Sequence, residues 1–334
     1  MWTRTGIVCR TAAAWKDYLA YERQEVGGNR AACHAESPFA RNGKSLEFAL
    51  QCRPSGRAAF TLGSDCLAPL VSCKEHILDL GLKGKVAVVT GASDGIGKAT
   101  ATRLALEGAR VAICARRPEP LEKVAGEIRD QGGDVFTHQA DMGKAADVER
   151  FMKAVAAHYG RIDILINNAG TSIRGPFESV ADESWKQDIE LKLFGAIRAC
   201  RLAVPYMKQQ GGGRIVNIST VAGKQPGAAS GPTSVSRAAG LALTKALSKE
   251  YAADNILVNA VCIGKIKSGQ HERRIAREKL VAAEYYAKVS EEIPMGRVGE
   301  AAEVANVITF LVSNAASYVT GSSVNLDGGM SGVL

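Results

Sequence analysis

The stretch Thr90-Gly91-Ala92-Ser93-Asp94-Gly95-Ile96-Gly97 joins an apolar run to a helical one, and its chemistry is that of a phosphate cradle. Gly91 permits a tight turn, Gly95 lets the backbone approach a pyrophosphate, and Gly97 lets the following helix pack close to the strand. The helix N-terminus then turns free N–H groups and the positive end of its dipole towards the phosphates. A glycine-rich turn carries this meaning when it follows a strand and opens a helix inside a βαβ unit, which is the context here. At the end of the next apolar run stand Ala115, Arg116 and Arg117. NAD(H) calls for a carboxylate at that place, to accept hydrogen bonds from the ribose hydroxyls. A guanidinium instead holds a 2′-phosphate in a bidentate pair. Arg116 and Arg117 therefore favour NADP(H) over NAD(H); the alternative is a surface arginine pair capping the strand.

These groups need a scaffold, and the hydrophobic pattern supplies one. Apolar runs at Val86–Thr90, 111–115, Val135–Gln139, 162–167, 214–219, 256–262 and Ser323–Leu326 read as strands. Helical stretches separate them: from the glycine turn to Ala109, at 121–131, and at 182–209 and 234–252, the last two long and amphipathic. Strands alternating with helices imply right-handed βαβ units and a parallel sheet covered on both faces. The nearly continuous Val/Ile/Leu content of the strands agrees with burial on both sides. The expected fold is α/β, a doubly wound Rossmann fold with a parallel seven-stranded sheet, spanning residues 80–334 with no separate substrate domain. Its site belongs at the carboxyl edge of the sheet.

The spacing G-x-x-x-G-x-G, together with Asn167-Asn168-Ala169-Gly170 after the fourth strand, resembles the short-chain dehydrogenase/reductase family. Asp141-Met142, Val258-Asn259-Ala260-Val261 with Gly264-Lys265-Ile266-Lys267-Ser268, and Val319-Thr320-Gly321 through Leu326-Asp327-Gly328-Gly329 extend the resemblance from Leu82 to about Gly332. The resemblance implies a cofactor site built from Gly91, Ser93, Asp94, Gly95, Ile96, Gly97, Arg116, Arg117, Asn168, Ala169, Gly170 and Arg237. It adds Asp141 and Met142 at the adenine, and Gly264, Ile266 and Ser268 at the nicotinamide-side loop. It also implies a small carbonyl or alcohol substrate, and a homodimer or homotetramer formed through the two long helices.

The active site departs from that family. Its usual Ser holds the substrate oxygen, a Tyr donates the proton, a Lys lowers the Tyr pKa and binds ribose, and an Asn supports a water relay. Here the matching positions are Thr220, Thr233, Arg237 and Lys192. Thr220 keeps an oxygen-holding hydroxyl. Arg237 keeps a positive charge but will not yield a proton near neutral pH. Thr233 is shorter and far less acidic than a Tyr. Positioned proton transfer contributes roughly 10² to 10⁴ in rate, so a substitute is needed. Lys192 is the candidate, directly or through water, with its pKa lowered by Arg237; the alternative is a Lys paired with a nearby carboxylate or reaching solvent. The charged segment 270–293 lies where the family keeps a mobile lid, and His271, Tyr285 or Tyr286 could swing inward from it, although surface or packing roles suit them better. Ser172 and Arg174 are placed at the substrate mouth, where Arg174 would suit an anion. Two functions stay open: an NADP(H)-dependent oxidoreductase with a non-standard proton donor, or an inactive NADP(H)-binding homologue acting as sensor or partner subunit.

Composition narrows the classes. The 334 residues are 46% hydrophobic and 23% charged, and the net charge of +8 is spread too thinly for a nucleic-acid surface. No apolar run reaches the roughly 18 residues of a membrane span. Cys9, Cys33, Cys52, Cys66 and Cys73 crowd the first 76 residues, against Cys114, Cys200 and Cys262 later, and no C-x-x-C pair suggests a metal or redox site. A reducing compartment and a cytoplasmic location are expected, with the later three cysteines as small core residues. Residues 1–76 show no periodicity and are expected to form a poorly structured extension; an upstream-placed start and a targeting segment stay open.

Overall fold

The computed structural model describes residues 79–333. The expectations for residues 1–76 lie outside the described residues. In chain order the elements are β1 (Val86–Thr90), α1 (Gly95–Leu106), β2 (Arg110–Ala115), α2 (Pro118–Asp130), β3 (Val135–Gln139), α3 (Ala145–Tyr159) and β4 (Ile164–Asn167). Then come α4 (Asp182–Ile189), a π-helical turn (Glu190–Phe194), α5 (Gly195–Gln209), β5 (Gly213–Thr220), α6 (Thr233–Glu250) and β6 (Ile256–Ile263). The chain closes through α7 (Gly269–Glu278), α8 (Ala282–Ser290), α9 (Ala301–Leu311) and β7 (Ser323–Leu326). The strands form one seven-stranded sheet in the order β3-β2-β1-β4-β5-β6-β7, every pair parallel. This is the doubly wound α/β fold expected from the alternating pattern.

Alternate residues of each central strand feed two cores. Ala87, Val89, Val111, Ile113, Ile164 and Ile166 pack with Leu104 of α1, Leu121 of α2 and Ile308 of α9. Val86, Val88, Ala112, Leu165 and Ile215 pack on the other face with Phe151 and Met152 of α3 and Met207 of α5. Side chains on both sides explain why these strands read as unbroken apolar runs. Cys114, Cys200 and Cys262 are buried free thiols in this interior, and burial pushes the first two up to about 12.

Several elements differ from the sequence pattern. The first helix stops at Leu106, not Ala109, because Gly108 takes a left-handed φ of 80° and reverses the chain. The single helix expected over 182–209 is two helices joined by the π turn. The segment 270–293 is likewise two helices, broken where Lys279 adopts φ 51°. Helices α3 and α9 were not anticipated, although Val148, Phe151, Met152 and Val155 follow the i, i+3, i+4, i+7 spacing and α9 opens on a Glu300/Glu303 capping box.

The order of connections reverses between β1 and β4, which leaves a crevice above their carboxyl ends. Both glycine-rich and Asn-Asn-Ala-Gly turns open into it.

Candidate active site

The phosphate turn is held from beneath by β4. Thr90 Oγ1 accepts from the backbone N–H groups of Asn168 and Ala169, each at 3.0 Å. Asn168 Nδ2 donates back to Thr90 O at 2.9 Å and Gly91 O at 3.0 Å. The close approach requires glycine: a Cβ on Gly91, which sits at φ 67°, would lie 2.8 Å from Ala169 Cα. A Cβ on Gly97 would lie 2.5 Å from Asn168 Nδ2. This leaves a backbone-lined cradle at the N-terminus of α1, a fit for a pyrophosphate.

The other cofactor candidates distribute around it. Ile96 and Met142 are buried in the two cores, so their side chains pack rather than face the crevice. The Asp141 carboxylate caps its own turn by accepting from Gly143 N at 3.0 Å. Arg116 and Arg117 are exposed past the end of β2, and Arg117 Nη2 lies 3.7 Å from the Asp94 carboxylate. Gly264 packs where a Cβ would stand 2.7 Å from Asp327 Cβ. Ile266 is buried and bridges Gly299, which sets the start of the 268–290 segment. Ser268 then sits against the phosphate turn, its Cβ 3.2 Å from the place of a Cβ on Gly95, and Ser93 lies in the same turn.

At the catalytic end the structure brings Lys192, Thr233 and Arg237 together, from two separate elements. Lys192 lies in the π turn, and Thr233 is the first residue of α6. Lys192 Nζ donates to Thr233 Oγ1 at 2.8 Å and also to the Asp188 carboxylate. Thr233 Oγ1 donates to Ile173 O at 2.8 Å, accepts from Ile173 N at 3.0 Å, and lies 3.2 Å from Asp188 Oδ2. Ser236 Oγ donates to the second Asp188 oxygen at 2.5 Å. The lysine and aspartate side chains both have 0% exposure.

Sequence reasoning named neither Asp188, Ser236 nor the Ile173 backbone. The signal for Asp188 was an acid four residues before a lysine on a helix. Pairing with a nearby carboxylate, the alternative for Lys192, is what the structure contains. Thr233 Oγ1 meets both the N–H and the carbonyl of Ile173, and Arg174 bridges Pro232 backbone to backbone.

Charge in this region is concentrated and dry. Burial, the Arg237 charge and, more weakly, Arg174 lower Lys192 to about 8, against the pull of Asp188 in the other direction. Burial lowers Arg237 to about 10. Its guanidinium donates through Nη1 to Ile218 O, and its Nη2 lies 2.5 Å from where a Cβ on Gly170 would be. Arg237 Nε and Thr220 Oγ1 are buried with no hydrogen-bond partner among the described residues. An unpartnered buried polar atom is a fit for a polar ligand. Ser219, next to Thr220, donates to Arg237 O at 3.3 Å and faces α6 instead.

His271 and Tyr285 are engaged with each other, Nδ1 to OH at 2.7 Å, and the ring of Tyr286 lies beside His271. They cluster within the α7–α8 pair and do not meet Lys192. Ser172 and Arg174 are exposed at the edge of the crevice.

A parallel sheet of this order, with a glycine cradle at its switch point and polar groups at its carboxyl edge, defines a dinucleotide-dependent oxidoreductase fold. The short chain dehydrogenase family model matches residues 85–279, and the chain belongs to that family. It is 36% identical over 249 residues to the 3-oxoacyl-(acyl-carrier-protein) reductase of Thermotoga maritima, covering 75% of this chain and 98% of the relative. Among solved structures it is similar to L-sorbose reductase of Gluconobacter frateurii complexed with NADPH and L-sorbose. That match has a TM-score of 0.74 and 34% identity, over 77% of this chain and 100% of the other. It is also similar to an NADPH-bound short chain oxidoreductase from Pseudomonas aeruginosa PAO1 described as containing an atypical catalytic center. There the TM-score is 0.71 and the identity 34%, over 75% of this chain and 98% of the other. Among the described residues no helix is long and apolar enough to cross a membrane.

Proposed function

We propose that this oxidoreductase interconverts a carbonyl and an alcohol with NADP(H), and that Lys192 supplies the proton through Thr233. The observation that carries this reading is the 2.8 Å contact from the Lys192 ammonium to the Thr233 hydroxyl. The cofactor would be held by the Gly91–Gly97 cradle, Asn168, Ala169 and Gly170, with Arg116 and Arg117 at the 2′-phosphate. When bound, it supplies or accepts the hydride at the substrate carbon.

The chain's own groups handle the oxygen. Thr220 Oγ1, unpartnered and buried, donates to the substrate oxygen and holds it. The Thr233 hydroxyl turns from Ile173 O to that oxygen and gives up its proton. Lys192 Nζ returns a proton to Thr233 Oγ1, leaving a neutral amine. Burial lowers the cost of that neutral form, so the lysine gives up its proton more readily than an exposed one. Asp188 holds the ammonium in place before the step. Arg237 supplies a fixed positive charge beneath Gly170. We further propose a cytoplasmic homodimer or homotetramer built through α5 and α6.

The test is a Lys192→Met variant compared with wild type for NADPH binding by fluorescence titration and for turnover of aldehydes, ketones and quinones. Unchanged turnover sinks the relay. The complete burial of Lys192 favours a second reading, an NADP(H)-binding homologue without turnover that acts as sensor or partner subunit. Tight NADPH binding with no turnover across the panel supports it. So does a Thr233→Tyr, Arg237→Lys double variant that gains activity.

A further inference from the structure

Helix α7 begins on top of the phosphate turn and reaches across the crevice. Arg273 Nη1 donates to Asp94 Oδ2 at 2.7 Å. On the far side Gln270 Nε2 donates to Gly170 O at 3.2 Å. The helix seats this closely because it starts on glycine: a Cβ on Gly269 would lie 2.5 Å from Asp94 Oδ2 and 2.9 Å from Arg273 Nη1. The same Asp94 oxygen is the one 3.7 Å from Arg117 Nη2. One carboxylate therefore stands between two guanidiniums, one from the end of β2 and one from the lid. Arg116, next to Arg117 in the chain, is exposed, and among the described residues it has no ion-pair partner within 4.0 Å.

We propose that Arg273 is a specificity-determining residue through which the lid helix reads the adenosine 2′-phosphate of the cofactor. This rests on the NADP(H) reading above. A phosphomonoester carries about −1.5 to −2 charges near neutral pH and three acceptor oxygens, against one charge on Asp94. Brought against Arg117, it enters the same cation pair and engages both guanidiniums in charge-assisted hydrogen bonds. The unphosphorylated cofactor offers only ribose hydroxyls there and leaves Arg273 on Asp94. Lid closure is then coupled to the identity of the cofactor, because α7 gains a bond with NADP(H) that it does not gain with NAD(H).

The experiment titrates NADPH, NADH and 2′,5′-ADP into wild type, Arg273→Gln and Arg117→Gln, and follows amide exchange over residues 270–277 at saturating NADPH or NADH. Arg273→Gln is expected to weaken NADPH and 2′,5′-ADP by about fivefold to tenfold while leaving NADH within about twofold. Amides of α7 are expected to exchange more slowly with NADPH than with NADH, and this difference disappears in Arg273→Gln. Equal effects of Arg273→Gln on NADPH and NADH, or none on either, overturn the proposal. If wild type prefers NADPH and loses that preference only in Arg117→Gln, the cofactor reading stands and the role of Arg273 is refuted. If wild type prefers NADH, both fall.

Discussion

Lys192 and Thr233, 41 residues apart in sequence, are joined by a 2.8 Å hydrogen bond in the buried interior. Neither residue type is by itself a good acid–base catalyst near neutral pH. An aliphatic hydroxyl is too weak an acid, and an ordinary lysine holds its proton too tightly. Burial beside Arg237 changes the second property, and contact with the lysine gives the first residue a source of protons.

The pH dependence of turnover follows from this pair. Burial and the Arg237 charge lower Lys192 to about 8, and the proposed relay uses its ammonium form in carbonyl reduction. Reduction is expected to fall as pH rises through about 8, and alcohol oxidation to rise over the same range. Asp188 is the negative charge that holds the lysine up, so Asp188→Asn moves both limbs to lower pH. Profiles of kcat for the two directions check this. A variant that loses amplitude with its limbs in place shows Asp188 to be structural only.

Removing the lysine separates chemistry from binding. Lys192→Met is expected to lower kcat by roughly 10² to 10⁴ with little change in NADPH affinity. It also strands a buried carboxylate, at a cost of about 3–5 kcal/mol. The double variant Asp188→Leu, Lys192→Met is therefore expected to recover melting temperature without recovering turnover. Recovery of both removes the lysine from the mechanism.

Cofactor choice is testable at the end of β2. Arg116→Asp places a carboxylate where a 2′-phosphate would sit. The dissociation constant of NADPH is expected to rise by about tenfold or more, with NADH much less affected. Fluorescence titration of both cofactors reads the difference directly, and unchanged values for the two would move the 2′-phosphate site elsewhere.

Gly170 tests the seat of the Arg237 guanidinium. In Gly170→Ala the new Cβ would stand 2.5 Å from Nη2, so the guanidinium must move from beneath the turn. Turnover is expected to drop. A Gly170→Ala, Arg237→Lys double variant, with a slimmer head group, is expected to regain part of it. Equal loss in both would mean that the turn itself, not the cation, is damaged.

Much of this site was legible before any coordinates. The strands announced themselves because burial on both faces leaves β1 and β6 apolar apart from Thr90 and Asn259. Gly91 and Gly97 announced a turn because no other residue fits so near Ala169 and Asn168. The positions of Lys192, Thr233 and Arg237 followed from motifs that bracket them. Asp188 did not, because an acid on an amphipathic helix ordinarily faces water, and only the fold shows that this one is sealed in. The partner of Thr233 was hidden for a different reason: it is backbone, and a carbonyl at Ile173 leaves no mark in the amino-acid sequence. Met142 and Ile96 pack their side chains inward, so what either position would offer a cofactor is main chain.

The π turn over 190–194 sets limits on how this enzyme can change. It accommodates about one residue more than an α-helical path, and each residue turns a helix by roughly 100°. Deleting one residue there would close the turn into an α-helical path with α4 and α5 nearly in phase, but would shift the residues of the turn itself and carry the residue at 192 off the face that meets Thr233. Exchanging a side chain within the turn leaves both helices in phase. New chemistry at residue 192 is thus open to substitution and closed to loss of length, and the spacer is as much a part of the proposed relay as the lysine it carries.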